Sequence, residues 1–315
     1  MKLLKFLLFP LIFVLPAYIF NGFVTYKLTI PNSNESIQFV AIQGGKFTMG
    51  NNAIPTESPE HVMEVSDFWM SVHEVTWQQY ELFVRRDKNN ADPISNEKLK
   101  DLGIDGVSRA TQPYTDMSFG MGKEGFPAVN ITQYAALSYC KWLSALTGDF
   151  YRLPTEAEWE YTAKGGVLHD YFTVINSLDD YAWHKGNSSS HYHAVGLKKP
   201  NSLGLYDILG NVSEWTMDAY APYENKSTKD FWRIPQELYP RVARGGSWMD
   251  ERSEITPTHR IDSQPGWKIR DPQLPKSRWW HTNAPFIGFR IVRPRVQPTP
   301  EEIIKYWLKP IEDYN

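Results

Sequence analysis

Hydrophobic and polar residues alternate with a period of two in several short stretches of the chain. Two such runs in 36–49 flank Gly44 and Gly45, which predicts a β-hairpin that turns at these glycines. A third run, 62–70, predicts another strand that ends in aromatic residues. Near the other end, 286–292 alternates well enough to predict a closing strand.

Elsewhere the apolar residues repeat with the period of a helix. Thr76 with Gln79, and Thr155 with Glu158, form capping boxes, in which the two side chains satisfy free amides at the start of a helix. Helices are therefore predicted to begin at both threonines.

Three further segments complete the predicted elements. An apolar stripe between Thr132 and Gly148 predicts a helix that the glycine ends. The spacing of apolar residues over 301–308 predicts a short terminal helix. The polar, glycine-rich stretch 87–125 has no convincing period and predicts a long loop.

Composition adds limits on the class of protein. Aromatic residues make up 14% of the chain, and 20 glycines and 22 prolines are scattered through it, which indicates irregular backbone held by large rings. The formal net charge is only -3 and no basic stripe occurs, so nucleic acid is not an expected partner. Cys140 is the single cysteine of the chain, so no intrachain disulfide can form.

The first 30 residues have the features of an export signal or a membrane anchor. Lys2 and Lys5 precede an apolar run over 6–24, which approaches the lower limit for a spanning helix. No clear small-x-small cleavage site follows, and this favours a retained anchor over a cleaved signal. The protein is therefore expected to be exported, to a periplasmic or extracellular location, with 1–30 attached to the membrane.

The segment 201–215 is too irregular for a helix or a strand, and it combines turn glycines, apolar residues and two carboxylates. Asp207 and Glu214 could converge with backbone carbonyls on a hard cation such as Ca²⁺, which binds oxygen ligands. In the alternative interpretation the segment is a tight turn, in which Asp207 caps backbone amides and Glu214 pairs with an arginine. The spacing is not that of an EF-hand and does not choose between the two.

Four blocks of sequence resemble, in this order, the signatures of the formylglycine-generating enzyme family, also called the sulfatase-modifying factor family. They are RLPTEAEWEY at 152–161, GLYDILGNVSEW at 204–215, RGGSW at 244–248 and GFRI at 288–291. In addition, GGKFTMG at 44–50 and HEVT at 73–76 are similar to the family's first strands and first helix.

The resemblance implies an α+β fold. The expected architecture is a single large, irregular domain related to the C-type lectin fold, with short helices, twisted antiparallel strands and long loops. This domain is assigned to 31–296, and 297–315 is assigned to a tail with a short helix.

The resemblance also implies ligands for one Ca²⁺ ion: the side chains of Asp207 and Glu214 and the carbonyl oxygens of Gly210 and Val212. Asp207 stands where the enzymes of the family often have asparagine. The family's other Ca²⁺ loop has no obvious counterpart here, so one calcium site at most is expected.

The family's oxidase chemistry converts a sulfatase cysteine to formylglycine and depends on two copper-binding cysteines shortly after the Gly-Gly-Ser block. Asp250 and Ile255 occupy those places in this chain. A soft Cu(I) ion needs thiolate ligands, which these residues do not supply, and Cys140 belongs to a helix that the family uses for packing. No copper is expected, no catalytic residue is assigned, and formylglycine-generating activity is predicted to be absent.

Polar and aromatic residues around the replaced cysteines are candidates for a recognition cleft, in which rings would anchor a ligand and charges would orient it. They are Arg244, Trp248, Asp250, Arg252, His259, Arg260, Trp279, Trp280 and His281. Two alternatives stay open. Either His259 or His281 holds a metal with Asp250, as in a non-haem iron site, or the aromatic residues fill the core and the charges are solvated.

These features favour an exported or membrane-anchored pseudoenzyme, a sulfatase-modifying-factor-like domain that acts as a binding or scaffold module. The expected ligand is a protein or a glycan in the exported compartment, and sulfatase-related partners are included. The alternatives are a divergent metal-dependent oxidoreductase of the non-haem iron type, a sulfatase-maturation accessory protein, and a sulfatase-activating enzyme with an unrecognised thiol site.

Overall fold

The computed structural model of the protein describes residues 23–85, 96–104, 108, 110–307 and 313. Within them the strands are β1 (Tyr26–Thr29), β2 (Ser36–Ile42), β3 (Gly45–Met49), β4 (His61–Val65), β5 (Phe68–Ser71), β6 (Ser213–Ala219), β7 (Thr228–Lys229), β8 (Arg241–Arg244), β9 (Arg260–Asp262), β10 (Ile287–Gly288) and β11 (Val292–Pro294). The helices are α1 (Trp77–Val84), α2 (Asn96–Asp101), α3 (Gln133–Thr147), α4 (Glu156–Ala163), α5 (Tyr171–Asn176), α6 (Leu178–Tyr181) and α7 (Pro300–Ile303).

The strands form three small sheets. Their orders are β1-β2-β5-β11, β10-β6-β8-β9 and β3-β4-β7. Most neighbours run antiparallel, and the pairs β6 with β10 and β4 with β7 are parallel. The predicted α+β class, a single irregular domain with short helices and long loops, is confirmed.

The helices begin where the capping residues predict. Thr76 and Thr155 each complete a capping box, and the hydroxyl of Thr132 accepts from the amide of Ala135. Gly148 adopts the left-handed conformation, with φ +82°, and ends α3. All residues of α4 are buried, and this helix contacts β3, β4, β6 and β8. It is therefore the element on which two of the sheets converge.

The predicted hairpin over 36–49 is wrong. β2 pairs with β1 and β5, whereas β3 pairs with β4. At Gly44 the chain passes from one sheet to the other: its amide donates to Oδ1 of Asp67 at 2.8 Å, and the carbonyl of Val65 leaves no room for a side chain. The run 62–70 likewise divides into β4 and β5, in different sheets. Alternation predicts a strand but does not select its partner.

The predicted loop over 87–125 contains α2, which sequence reasoning missed. The apolar signal is short: Leu102 and Ile104, just after the helix, are buried against Phe150 and Ile303. Residues 86–95, 105–107 and 109 of this stretch lie outside the described residues.

The structure describes part of the chain at each end of the predicted domain. Phe23 is buried and β1 pairs with β2, so the folded domain already includes residues that we assigned to the leader. The remainder of that leader, 1–22, lies outside the described residues. Among those described, none of the helices is long and apolar enough to cross a membrane. At the other end, α7 continues as one turn of 3₁₀ helix over Ile304–Tyr306, which confirms the terminal helix as far as it is described.

Candidate functional site

Asp250 and Ile255, the positions that the family resemblance assigns to the two cysteines, follow the turn after β8. Gly245 and Gly246 have φ values of +99° and +68°, which favour glycine. An ideal Cβ on Gly246 would lie 2.5 Å from Cδ1 of Ile255 and 3.6 Å from Oδ2 of Asp250. The two replacing side chains therefore face the same point of the backbone.

Asp250 and Ile255 differ in environment. Ile255 is fully buried in the apolar cluster around α4. Asp250 is half-buried, and its Oδ2 accepts a 2.8 Å hydrogen bond from the hydroxyl of Ser247. Burial raises the pKa of the Asp250 carboxyl group. The pair offers one hard oxygen ligand and no sulfur, which is not the donor set of a copper–thiolate centre.

Two of the predicted cleft residues accompany Asp250 at the surface. His259 is half-buried, with Nδ1 3.9 Å from Oε1 of Glu57, and burial lowers the pKa of its ring. Arg252 is exposed and pairs with Asp179 at 2.6 Å. Of the nine predicted cleft residues, only these three reach solvent to more than a small extent.

Arg244 and Arg260 are buried instead of facing a cleft. Arg260 Nε and Arg244 Nη1 lie 2.6 and 3.1 Å from Oε1 of Glu156, and Arg244 Nη2 lies 2.5 Å from Oε2 of Glu160. All four oxygens of the two carboxylates accept hydrogen bonds. We call Glu156, Glu160, Arg244 and Arg260 the arginine network. It ties β8 and β9 to α4.

The predicted tryptophans of the cleft belong to the core. Trp248, Trp279 and Trp280 are 8%, 5% and 3% exposed and lie in the large aromatic cluster. Trp280 stacks on Trp77 with ring centroids 6.3 Å apart. The prediction of one continuous cleft is therefore wrong, because a loop-rich domain uses the same rings to fill its interior.

Of the two histidines of the proposed iron site, His259 lies near enough to Asp250 for each to shift the pKa of the other, whereas His281 does not join them. His281 is buried, and its ring neighbours are Trp215 and Trp267, with Lys268 as the nearby charge. Asp250 is instead bonded to Ser247. In the described part of the chain, no three His, Cys, Asp or Glu side chains converge so that they could hold a metal ion.

The segment 201–215 is irregular, as predicted. Asp207 has φ +51°, and its Oδ2 accepts a 2.7 Å hydrogen bond from the amide of Gly196. Arg290 makes two hydrogen bonds of 2.6 Å to Glu214. Both contacts of the tight-turn interpretation are thus present.

Glu74 and Arg290 complete this region, and sequence reasoning did not select them. Oε2 of Glu74 accepts from the side-chain amide of Asn211 at 2.9 Å, and Oε1 accepts from the amide of Val212 at 3.2 Å. We call Glu74, Asp207, Glu214 and Arg290 the acidic centre; each is at most 2% exposed. The sequence feature that could have identified these two residues is the charged residue inside each of the family-like blocks 73–76 and 288–291.

The acidic centre has one guanidinium for three buried carboxylates. Burial raises the pKa of Asp207 to about 6 and that of Glu74 well above its usual value, and burial also raises the pKa of Glu214. Oδ1 of Asp207 has no hydrogen-bond partner among the described residues. Protons or a cation are needed to offset the excess negative charge.

The acidic centre contains carboxylate oxygens, which are the ligand type of a hard cation, although its three carboxylates do not converge as a three-ligand metal site. Oδ1 of Asp207 is available, and Oε1 of Glu214 accepts a single hydrogen bond, from Nη2 of Arg290. A carboxylate oxygen has two lone pairs, so the ion pair leaves Glu214 one coordination position there. Carboxylate oxygens and backbone carbonyls, such as those of Gly210 and Val212, are the ligands that Ca²⁺ takes.

Comparison with known proteins adds a family match. Over residues 26–295 the sequence matches the profile of the sulfatase-modifying factor enzyme 1-like domain. Serine/threonine-protein kinase Pkn1 of Chlamydia trachomatis is 32% identical over 237 residues, which are 73% of this chain and 36% of that protein. The chain thus corresponds to only part of Pkn1.

Two mouse proteins of contrasting names are about equally similar. The formylglycine-generating enzyme of Mus musculus is 27% identical, covering 69% of this chain and 67% of that protein. Inactive C-alpha-formylglycine-generating enzyme 2 of Mus musculus is 28% identical, covering 67% and 74%. Among solved structures, Treponema denticola variable protein 1 has a TM-score of 0.62 at 22% identity, over 86% of this chain and 99% of that one. This last likeness concerns the fold alone.

Proposed function

The chain belongs to the sulfatase-modifying factor enzyme 1-like domain family, and from that premise we propose that it is a binding or scaffold module that does not generate formylglycine. The observation that carries the proposal is the pair Asp250 and Ile255, which face Gly246 at the places of the family's cysteines. Overall similarity does not decide whether the chain generates formylglycine, because a relative named as the enzyme and one named as inactive are about equally similar to it.

The remaining thiol supports the same proposal. Cys140 is the single cysteine of the sequence. It is buried within α3, and burial raises the pKa of its thiol far above the usual value. A buried, protonated thiol is neither a good nucleophile nor a good metal ligand.

We place the ligand-facing surface at Asp250, Arg252 and His259, the candidates that reach solvent. Their mixture of a carboxylate, a guanidinium and an imidazole suits the polar groups of a protein or a glycan. The name of Pkn1 is no reason to expect kinase activity of this chain, because the match to the sulfatase-modifying factor domain extends over 26–295.

We further propose that the acidic centre binds one Ca²⁺ ion. Asp207 and Glu214 would hold it with the carbonyls of Gly210 and Val212, and the ion would supply positive charge that fixes the 201–215 segment on the core. The available oxygen of Asp207 supports this role. The role proposed for the ion is structural, so it is compatible with loss of the oxidase chemistry.

The proposal of export rests on Lys2, Lys5 and the apolar run 6–24. N-terminal sequencing of the protein from membrane and soluble fractions tests it. A retained N-terminus in the membrane fraction is expected, and recovery of the intact N-terminus in the cytoplasmic fraction alone would contradict export.

The test of the main proposal is co-expression of the full chain with a sulfatase, followed by mass analysis of the sulfatase active-site peptide. We expect the cysteine of that peptide to stay unmodified and the purified chain to contain no stoichiometric copper. Co-expression of the same sulfatase with an active formylglycine-generating enzyme is the positive control. Copper-dependent conversion of the cysteine by this chain would overturn the proposal.

A further inference from the structure

A small basic pocket lies between α3 and the sheet of β6, β8 and β9, away from the turn at Gly246. Its volume is about 40 Å³, and its floor includes Trp215 and His281. The cations Arg241, Lys268 and Arg278 line it. No aspartate or glutamate does so among the described residues.

His281 is the unusual member of this pocket. Its side chain is 2% exposed, and neither ring nitrogen has a hydrogen-bond partner among the described residues. Burial lowers the pKa of the ring well below its usual value, so the imidazole is neutral and presents one N–H donor. A buried donor without an acceptor destabilises the protein unless something in the pocket pairs with it.

Arg241 has neutral acceptors only. Nε donates to the carbonyl of Leu238 at 3.1 Å, and Nη1 donates to Oε1 of Gln133 at 2.7 Å. Burial lowers the pKa of Arg241 to about 10, and the nearby carboxylate of Glu237 offsets only part of this shift. The pocket therefore contains a buried positive charge whose hydrogen bonds with the described residues go to neutral groups.

Lys268, a second cation of the pocket, already has a carboxylate partner. Its Nζ lies 3.6 Å from Oδ2 of Asp313, near the end of the chain, and the hydroxyl of Tyr239 donates to the same oxygen at 3.1 Å. The chain thus already places one carboxylate at the edge of the pocket. Arg241 and His281 have no carboxylate within hydrogen-bonding distance among the described residues.

We propose that this pocket binds the carboxylate group of a small-molecule ligand. A cavity of about 40 Å³ has room for roughly three water-sized positions, which is enough for a carboxylate group. Arg241 and the N–H of His281 donate to its oxygens. The remainder of the ligand extends past the half-buried side chains of Tyr134 and Leu238 at the mouth.

This site is independent of the proposed function. Its lining residues do not include Asp250, Ile255 or any member of the acidic centre. A failure of either proposal leaves the other unchanged.

The test uses the full chain and acetate as the probe, with acetamide as a neutral molecule of the same shape, at constant ionic strength. We expect the melting temperature to rise with the logarithm of acetate concentration, since a ligand of the native state stabilises by mass action. Acetamide is expected to have no effect. Equal responses to acetate and acetamide, or tighter binding of sulfate than of acetate, would overturn the assignment.

Two substitutions separate binding from folding. His281→Phe keeps a ring between Trp215 and Trp267 but removes both unpartnered nitrogens, so the melting temperature without acetate should not fall. Acetate affinity should fall about ten- to a hundredfold, because the variant loses one hydrogen bond to the charged carboxylate. Arg241→Gln should abolish the response.

Arg270→Gln is the matched control, because Arg270 is exposed two residues after Lys268 and does not line the pocket. Its acetate response should equal that of the wild type. If Arg241→Gln does not fold, His281→Phe still decides, since an undiminished acetate response in that variant would contradict the site.

Discussion

The arginine network and the acidic centre are both buried charge clusters, but they differ in charge balance. The network has two carboxylates and two guanidinium groups, and Lys164 adds a third cation 2.7 Å from Oε1 of Glu160. Every carboxylate oxygen accepts a hydrogen bond, so no negative charge is left without a partner. The acidic centre has three carboxylates, one guanidinium and an oxygen of Asp207 without a partner. A balanced cluster holds elements together whatever the solution contains, whereas an unbalanced one responds to protons and cations.

The largest expected effect is on the arginine network. Arg244→Leu leaves Glu156 and Glu160 buried with less compensation, so the free energy of unfolding should fall by about 3–5 kcal/mol. Urea denaturation measures it. The loss should be the same with Ca²⁺ and with chelator, and a calcium-dependent loss would show that the two clusters are not separate.

The next effect is calcium removal. If the acidic centre binds Ca²⁺, an ion concentration of a hundred times Kd stabilises the protein by about 2.7 kcal/mol, and chelator removes this stabilisation. The shift in melting temperature should grow with Ca²⁺ concentration and vanish in the double variant Asp207→Ala, Glu214→Ala. Identical melting curves with and without chelator in the wild type would remove calcium from the acidic centre.

An effect of similar size is expected from pH. Burial raises the pKa of Asp207 to about 6, compared with about 3.9 in an unfolded chain. Between these values native Asp207 binds more protons than it does in the unfolded chain, so in chelator the contribution of Asp207 to the free energy of unfolding falls as the pH rises from about 4 to about 6. The contribution of this one group is on the order of 3 kcal/mol.

Asp207→Asn isolates that contribution, since it removes the titrating group at nearly constant shape. In chelator, the unfolding free energy of the wild type minus that of the variant should decrease as the pH rises over this range. With Ca²⁺ present, the ion replaces the proton, so wild-type stabilisation by Ca²⁺ should increase as the pH rises through about 6. Parallel pH profiles for the two proteins would place the titration elsewhere.

The smallest effect is expected at the surface. Arg252 pairs with Asp179, and both side chains are exposed, so solvent screens the pair. Arg252→Leu should leave the urea midpoint indistinguishable from that of the wild type, and it serves as the control for Arg244→Leu. A large loss here would mean that burial does not explain the difference between the two arginines.

The sequence predicted local features better than distant contacts. Capping at Thr76, Thr132 and Thr155 depends on residues three positions away, so it could be read directly. The partner of β2 depends on a strand that lies beyond a change of sheet at Gly44, and alternation carries no information about it. The family resemblance supplied the fold class that periodicity alone could not.

The candidate site shows the same limit. Asp207 and Glu214 were selected because they lie in one loop, but Glu74 and Arg290 join them from distant segments. Residue type did not distinguish buried from exposed candidates: Arg244 and Arg252 look alike in the sequence, and only the first is enclosed by α4. Trp280 was placed in a cleft for its chemistry, although it packs in the core.

The contact between Ile255 and Gly246 has a consequence for the history of this protein. Ile255→Cys alone would replace three buried carbon atoms by one sulfur and leave a void, at a cost of roughly 1 kcal/mol or more. Asp250→Cys alone would create one thiol without its mate. An ancestor with paired sulfurs could lose them in single steps, but the way back begins with a step that weakens the protein and restores no chemistry. Close packing at this turn therefore makes the two cysteines easier to lose than to regain.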